Sequence, residues 1–182
     1  MDDSSPLNNS DGAMLDGDGK ILAMRVDIPF LPPSSNHIYV TDWRKKIRFL
    51  TKEAKAFQRR FSAEVVPHYL NIISSVPPDN GNNIWNVHYS FYFDKDDILN
   101  KTFGEKGGAK SRYKKMDVEN RVKLIADCFF KAIGLDDSLV FDEGSSKQVC
   151  PPNLQPHVRI FLHRMCLDAG GVSAWEQAVE HT

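Results

Sequence analysis

The chain has 182 residues, 41% of them hydrophobic and 26% charged, and a formal net charge of −1 at pH 7. That length suits one domain with a buried core and is short for two; no apolar run reaches the length of a membrane span, and the acidic start "MDDSSPLNNSDG" is unlike a signal peptide. Three cysteines without a CxxC pair, Cys128, Cys150 and Cys166, argue against a disulfide framework or a structural zinc site and point to a reducing cytoplasm.

The small net charge conceals an uneven distribution. Residues 1–20 hold five acids and one lysine, residues 165–182 hold three acids and no Lys or Arg, and residues 21–164 carry 22 bases against 16 acids, a formal +6. A basic body with acidic ends suits a polyanionic partner such as nucleic acid. The expected organisation is a disordered acidic tail over 1–20, a single domain over 21–164, and a C-terminal extension over 165–182 that is a short helix or mobile. "DGDGK" in the tail starts like a calcium loop and then departs from one, because Lys20 and Ile21 stand where a ligand and a glycine are needed.

"ILAMRVDIPF" (Ile21–Phe30) alternates as a first strand. After the turn-forming "LPPSSNH", the short β-like pieces "IYV" and "IRFL" flank "TDWRKK" and predict a hairpin. Thr51 is placed to cap a helix whose Ala54, Phe57, Phe61 and Val65 recur at helical spacing, until Pro67 kinks or ends it. In "NIWNVHYSFYFD" (Asn83–Asp94), Trp85, Val87, Tyr89, Phe91 and Phe93 alternate on one face of a strand. A loop of about twenty residues with little apolar content follows. Its Lys101, Lys106, Lys110, Arg112, Lys114 and Lys115 outweigh Glu105 to give a local +5. A second helix is predicted over Val118–Ile133, with Asp117 as its cap, Gly134 as its terminator and Val118, Val122, Ile125, Phe129 and Ile133 as its core stripe. Strands around Leu139–Val149 and His157–His163 complete the order. The fold class expected from it is α+β, a mixed sheet with two main helices packed on it.

"MDVENRVKLIADCFFKAIGLDDS" (Met116–Ser138) holds Asp117, Glu119, Asp127, Asp136 and Asp137. At 100° per residue, Glu119, Asn120, Lys123 and Asp127 fall in an arc of about 100° beside the apolar stripe. Spacing alone leaves two readings open. Glu119, Lys123 and Asp127 form an i, i+4 charge ladder worth roughly 0.2–0.5 kcal/mol per pair, with Asp117 a cap and Asp136–Asp137 a polar turn. Alternatively the carboxylates are oxygen ligands for a hard cation such as magnesium, whose usual set is one or two carboxylates completed by substrate phosphate. Lys123 then contacts that phosphate, and the cationic loop before the helix delivers the polyanion. Val118 to Ile133 is sixteen residues, a helix about 24 Å long, so Asp117 and Asp137 of one chain cannot share an ion unless the helix breaks. Two copies lying antiparallel across a twofold axis would combine Asp117 and Glu119 of one subunit with Asp136 and Asp137 of the other. Trp43, Arg44, Lys45, Lys46 and Arg48 form a second candidate DNA-contacting patch; packing within the hairpin explains them equally.

With these residues in view, the chain resembles the RusA family of Holliday junction resolvases, which are endodeoxyribonucleases. The likeness covers roughly Arg25 to Arg164. It rests on "PFLPPSSNHIY" leading to "FLTKEAKAFQ", and on "MDVENRVKLIADCFFKAIGLDDSLV", which follows the family pattern D-x-D-N-x-x-K, an apolar helix with an internal D, then D-D before a strand. The resemblance implies Asp117 and Glu119 as the first and second catalytic acids, Asn120 and Lys123 as the pattern's N and K, and Asp136 with Asp137 as its acidic pair. Asp117, Glu119 and Asp137 are the implied metal ligands. It further implies magnesium (with manganese as a substitute), a homodimer, and paired nicks across a four-way DNA junction. Glu119 departs from the pattern, which usually has aspartate there. Its extra methylene moves the ligand oxygens by about 1 Å, and misplacement on that scale costs roughly a hundredfold in rate. The alternative opened by this departure is a catalytically weak or inactive protein of the same fold that binds branched DNA.

Overall fold

Seven strands organise the computed structural model, which describes residues 12–34, 38–77, 83–112, 114 and 118–166, the side chains of Asn120 and Cys166 excepted. In chain order they are β1 (Ala13–Leu15), β2 (Ile21–Ile28), β3 (Tyr39–Asp42), β4 (Ile47–Leu50), β5 (Asn83–Phe93), β6 (Val140–Val149) and β7 (His157–Cys166). Five of them form one sheet in the order β1-β2-β7-β5-β6, and β3 with β4 forms a separate hairpin. The β5–β6 pair is parallel and the other pairs of the large sheet are antiparallel, so the sheet is mixed and the fold is α+β, as the order of elements predicts.

Burial decides where each strand lies. Trp85, Val87, Tyr89, Phe91 and Phe93 of β5 are all buried, because period-2 alternation turns every one of them to the same side of the sheet. Val26 and Ile28 of β2 and Val158, Ile160 and Leu162 of β7 join them there. Two helical units cover this face. The first is a continuous run of α1 (Lys52–Arg60), a wider π-turn (Phe61–Val65) and α2 (Val66–Ile73). The second is α4 (Glu119–Ile133), which follows the single-turn α3 (Lys95–Ile98). Phe61, Val65, Tyr69 and Ile73 meet Phe129 and Ile133 of α4 above Met24 and Val26 of β2, around a residual gap of about 10 Å³. No helix among the described residues is long and apolar enough to cross a membrane.

Three local devices set the helix ends. The Thr51 hydroxyl accepts from the Ala54 amide at 3.1 Å, satisfying one of the donors a helix start leaves orphaned. Thr51→Ala is expected to lower the unfolding free energy by about 1 kcal/mol, read as a lower urea midpoint at unchanged m-value; an unchanged midpoint would show the cap to be dispensable. Pro67 does not end the run, which passes through the π-turn into α2. It lacks an amide hydrogen and its ring presses on the carbonyl four residues back; the chain relieves both by opening one turn, in which the Val66 amide donates to the Phe61 carbonyl five residues earlier. Gly134 closes α4 in the left-handed region (φ 68°), its amide donating to the Phe130 carbonyl, the conformation that glycine adopts at least cost.

Two expectations change here. The segment after β5 is not a structureless loop: α3 opens it, and its neck is tied where the Asn100 amide donates to the Arg112 carbonyl (2.9 Å) and the Lys114 amide to the Ile98 carbonyl (2.8 Å). The strand β1 lies inside the segment read from composition as a tail, and "DGDGK" is the turn joining it to β2. One Asp16 carboxylate oxygen accepts from the Asp18 and Lys20 amides, and the other pairs with the Arg164 guanidinium.

Candidate active site

The chain leaves β5, crosses over through α4 and returns parallel as β6. The helix therefore starts near the end of β5 and finishes near the beginning of β6, with its acids at both tips. Its stripe of Val118, Val122, Ile125, Phe129 and Ile133 is buried as the periodicity predicts, with Leu124 and Phe130 beside it. One side of the helix borders a cleft of about 620 Å³ between α4, the turn after it and β6. Glu119, Lys123, Asp127, Asp136, Asp137 and Glu143 line that cleft over an apolar floor of Val122, Ala126, Phe130, Leu135 and Val140. Among the described residues β6 is the edge of the sheet, paired with β5 on one side only, so the cleft opens beside a strand with a free outer edge.

The α4 axis fixes the spacing within it. Glu119–Ile133 is fifteen residues without interruption, about 22 Å at 1.5 Å per residue, so Glu119 and Asp137 border one cleft from opposite ends. Among the described residues no three of His, Cys, Asp and Glu converge on a point that holds an ion. Asp117 and Lys115 lie outside the described residues, so the expected cap and first acid has no described position, and Val118 stands at the N-cap. The donors that do line the cleft are carboxylates, with no histidine or cysteine. That is the donor class of magnesium or manganese rather than zinc, and two carboxylates completed by phosphate and water make an ordinary magnesium set.

The two adjacent aspartates differ in what they do. Asp136 caps the 3-10 turn Asp137–Leu139, accepting from the Ser138 amide at 2.9 Å. The Ser138 hydroxyl and amide together hold the Asp136 carboxyl below its ordinary pKa. Asp136 is thus engaged by the turn, whereas Asp137, exposed beside it, lines the same cleft.

Glu143 is the cleft residue that sequence reasoning missed. It sits on β6 opposite Val87, which puts it on the α4 side of the sheet, whereas Asp142 next to it faces the other side with Asn86 and His163. Beneath it Tyr89 is fully buried. Burial, and then the Glu143 and Asp127 carboxylates, push the Tyr89 hydroxyl's pKa far up, so it stays protonated as a donor. Its hydroxyl is buried without a hydrogen-bond partner among the described residues, within electrostatic reach of Glu143 and Asp127. The one signal for Glu143 in the sequence is the Asp-Glu doublet in a strand, which must place one acid on each face.

Arg121 anchors the first turn of α4. Its Nη1 donates to the Pro32 carbonyl at 3.0 Å and its guanidinium lies 5.3 Å from the Phe93 ring, joining the helix start to the "LPPSS" segment and the end of β5.

The candidate DNA contacts separate into two groups. In the segment before α4, Lys106, Lys110 and Arg112 are exposed. Lys101 pairs with Asp96 at 3.0 Å, and the Lys114 ammonium donates to the Asp96 carbonyl at 2.6 Å, so these two brace the loop. Arg44, Lys45 and Lys46 are exposed together at the turn of the β3–β4 hairpin. No curated protein matches the chain. Residues 29–162, well over half of it, match the family model of endodeoxyribonuclease RusA, and the chain belongs to that family of endodeoxyribonucleases.

Proposed function

We propose that the protein is a magnesium-dependent endodeoxyribonuclease that resolves four-way DNA junctions by paired phosphodiester hydrolysis, acting as a homodimer in the cytoplasm, with residues 21–164 as its nuclease domain. The observation that carries this reading is the cleft along α4, with carboxylates at both ends and Lys123 between them. In a twofold dimer with antiparallel α4 helices, Asp117 and Glu119 of one subunit would meet Asp136 and Asp137 of the other, and the open edge at β6 leaves room for the second subunit. Asp117, Glu119 and Asp137 would hold the ion, which when bound acidifies water and steadies charge on the leaving oxygen. Lys123 would lie against the scissile phosphate and offset its charge. Asp136 would orient Asp137 through the turn it caps, and Glu143, on the strand face above Tyr89, would keep a carboxylate in the middle of the cleft. Lys106, Lys110, Arg112 and Lys115, with the braced Lys101 and Lys114, would hold the phosphate backbone and supply most of the sequence-independent affinity.

The test is nicking of a synthetic four-way junction with magnesium or manganese. Symmetric nicks are expected, and binding without product under either ion would overturn the enzyme reading. One residue favours the second reading, a junction-binding protein with weak cleavage: Glu119 replaces the family's usual aspartate. Glu119→Asp is expected to raise the cleavage rate between about tenfold and a hundredfold, since an ångström of ligand misplacement costs that much. An unchanged or lower rate would show that this chain is built around glutamate.

A further inference from the structure

We propose that the β3–β4 hairpin is a wedge for the open centre of branched DNA, its Trp43 indole stacking on an exposed base pair while Arg44, Lys45 and Lys46 grip the flanking phosphates. The proposal rests on the junction reading above and adds to it the part that recognises the branch point.

Trp43 is 84% exposed, as the first residue of the four-residue turn between β3 and β4. A large aromatic group left in water is unusual where the chain has a core to bury it in. The turn is stiff. One Asp42 carboxylate oxygen accepts from the Arg44 amide at 3.0 Å and the Lys45 amide at 3.2 Å, and Lys46 takes a left-handed conformation at φ 53°. The stalk is stiff as well: Tyr39 pairs with Leu50 and Val40 with Phe49. The Arg48 guanidinium lies 4.1 Å over the Tyr39 ring. At the root, Ile38 is fully buried and its carbonyl accepts from the Thr51 amide at 2.9 Å. An indole held out on such a stalk loses little conformational freedom when it binds.

Charge selects the occupant. Arg44, Lys45 and Lys46 follow Trp43 in the turn and are exposed with it, and among the described residues none of them pairs with a carboxylate. The only acid of the hairpin, Asp42, has its carboxylate turned to the turn amides. A tip that carries one exposed aromatic ring and three exposed cations matches a base-pair face bordered by phosphates, the surface on which aromatic side chains stack in unpaired or unstacked nucleic acid. An intact duplex hides those faces within its stack, and a branch point exposes them.

The experiment uses the full chain in EDTA, so that nothing is cut, with a four-way junction carrying 2-aminopurine beside the branch point and a linear duplex of equal length. The unaltered chain is expected to prefer the junction and to quench the 2-aminopurine emission. Trp43→Ala is expected to weaken junction binding roughly 5- to 150-fold, the range for loss of one base–aromatic stack, to abolish the emission change, and to alter duplex binding less than twofold; Trp43→Phe restores most of both signals. If Trp43→Ala binds the junction as before, the wedge is wrong while the junction reading stands. Equal weakening on junction and duplex also overturns the wedge, since that marks an ordinary groove contact. If the unaltered chain shows no preference for the junction, the junction reading fails, and the wedge, which needs an open branch point, fails with it.

Discussion

Asp137→Asn is expected to slow cleavage of a four-way junction by at least about 10²–10³-fold, while junction affinity stays within about threefold of the unaltered chain. The two halves of this expectation have separate physical origins. Loss of one outer-sphere partner of a metal site costs about 10–100-fold, and loss of one preorganised charge-stabilising group costs about 10²–10³-fold; a carboxylate that is itself the ligand lies at or beyond the upper end. Affinity comes instead from cations on phosphate, and those lie on the segment before α4 and on the hairpin. The conservative change keeps the size of the side chain and its place at the start of the 3-10 turn, where the Asp136 cap on Ser138 holds the backbone. Lys123→Ala should follow it in cleavage, with a smaller loss. Intact cleavage in both variants would mean that Glu119, Lys123 and Asp127 are only a charge ladder on an exposed helix, and the catalytic assignment of the cleft would be lost.

What the sequence disclosed follows how strongly each element is patterned. In β5, five large side chains repeat at period 2 and all five are buried, so strand, face and core were legible together. In α4 the stripe at i, i+4 and i+7 and the glycine at its end left one solution, and the helix length gave the separation of the acids before any coordinates. Thr51 could be read as a cap because its hydroxyl needs only the amide three residues on. β6 is the opposite case. "VFDEGSSKQV" has no apolar alternation, being a mostly exposed edge strand, and the pairing with β5 shifts register after Trp85. Nothing local therefore says that Glu143 rather than Asp142 turns toward α4. The three residues of β1 are too few for a period to show, and they sit among acids and glycines. The neck at Asn100 and Arg112 closes through backbone bonds across a gap of twelve residues, which side-chain pattern does not record.

Mixing Asp117→Asn chains with Asp137→Asn chains should restore nicking that neither shows alone. The expectation follows from α4 being unbroken over about 22 Å, too long for its two ends to meet on one ion, and from the absence of any three-ligand group among the described residues. If each centre is built from opposite ends of two helices, a mixed dimer has one centre carrying both substitutions and one carrying neither. Random exchange makes about half of all dimers mixed, so about a quarter of the original nicking capacity returns. Because each mixed dimer holds a single intact centre, the product is a junction nicked once, not the resolved duplexes that two coordinated nicks release. If each centre lies within one chain, every subunit in the mixture is disabled and nothing returns. The unaltered chain in the same exchange keeps paired nicks, which separates failed exchange from failed sharing. Partial rescue with single nicks is the outcome that only the shared arrangement produces, because no assortment of self-contained centres yields an intact one from two broken parents.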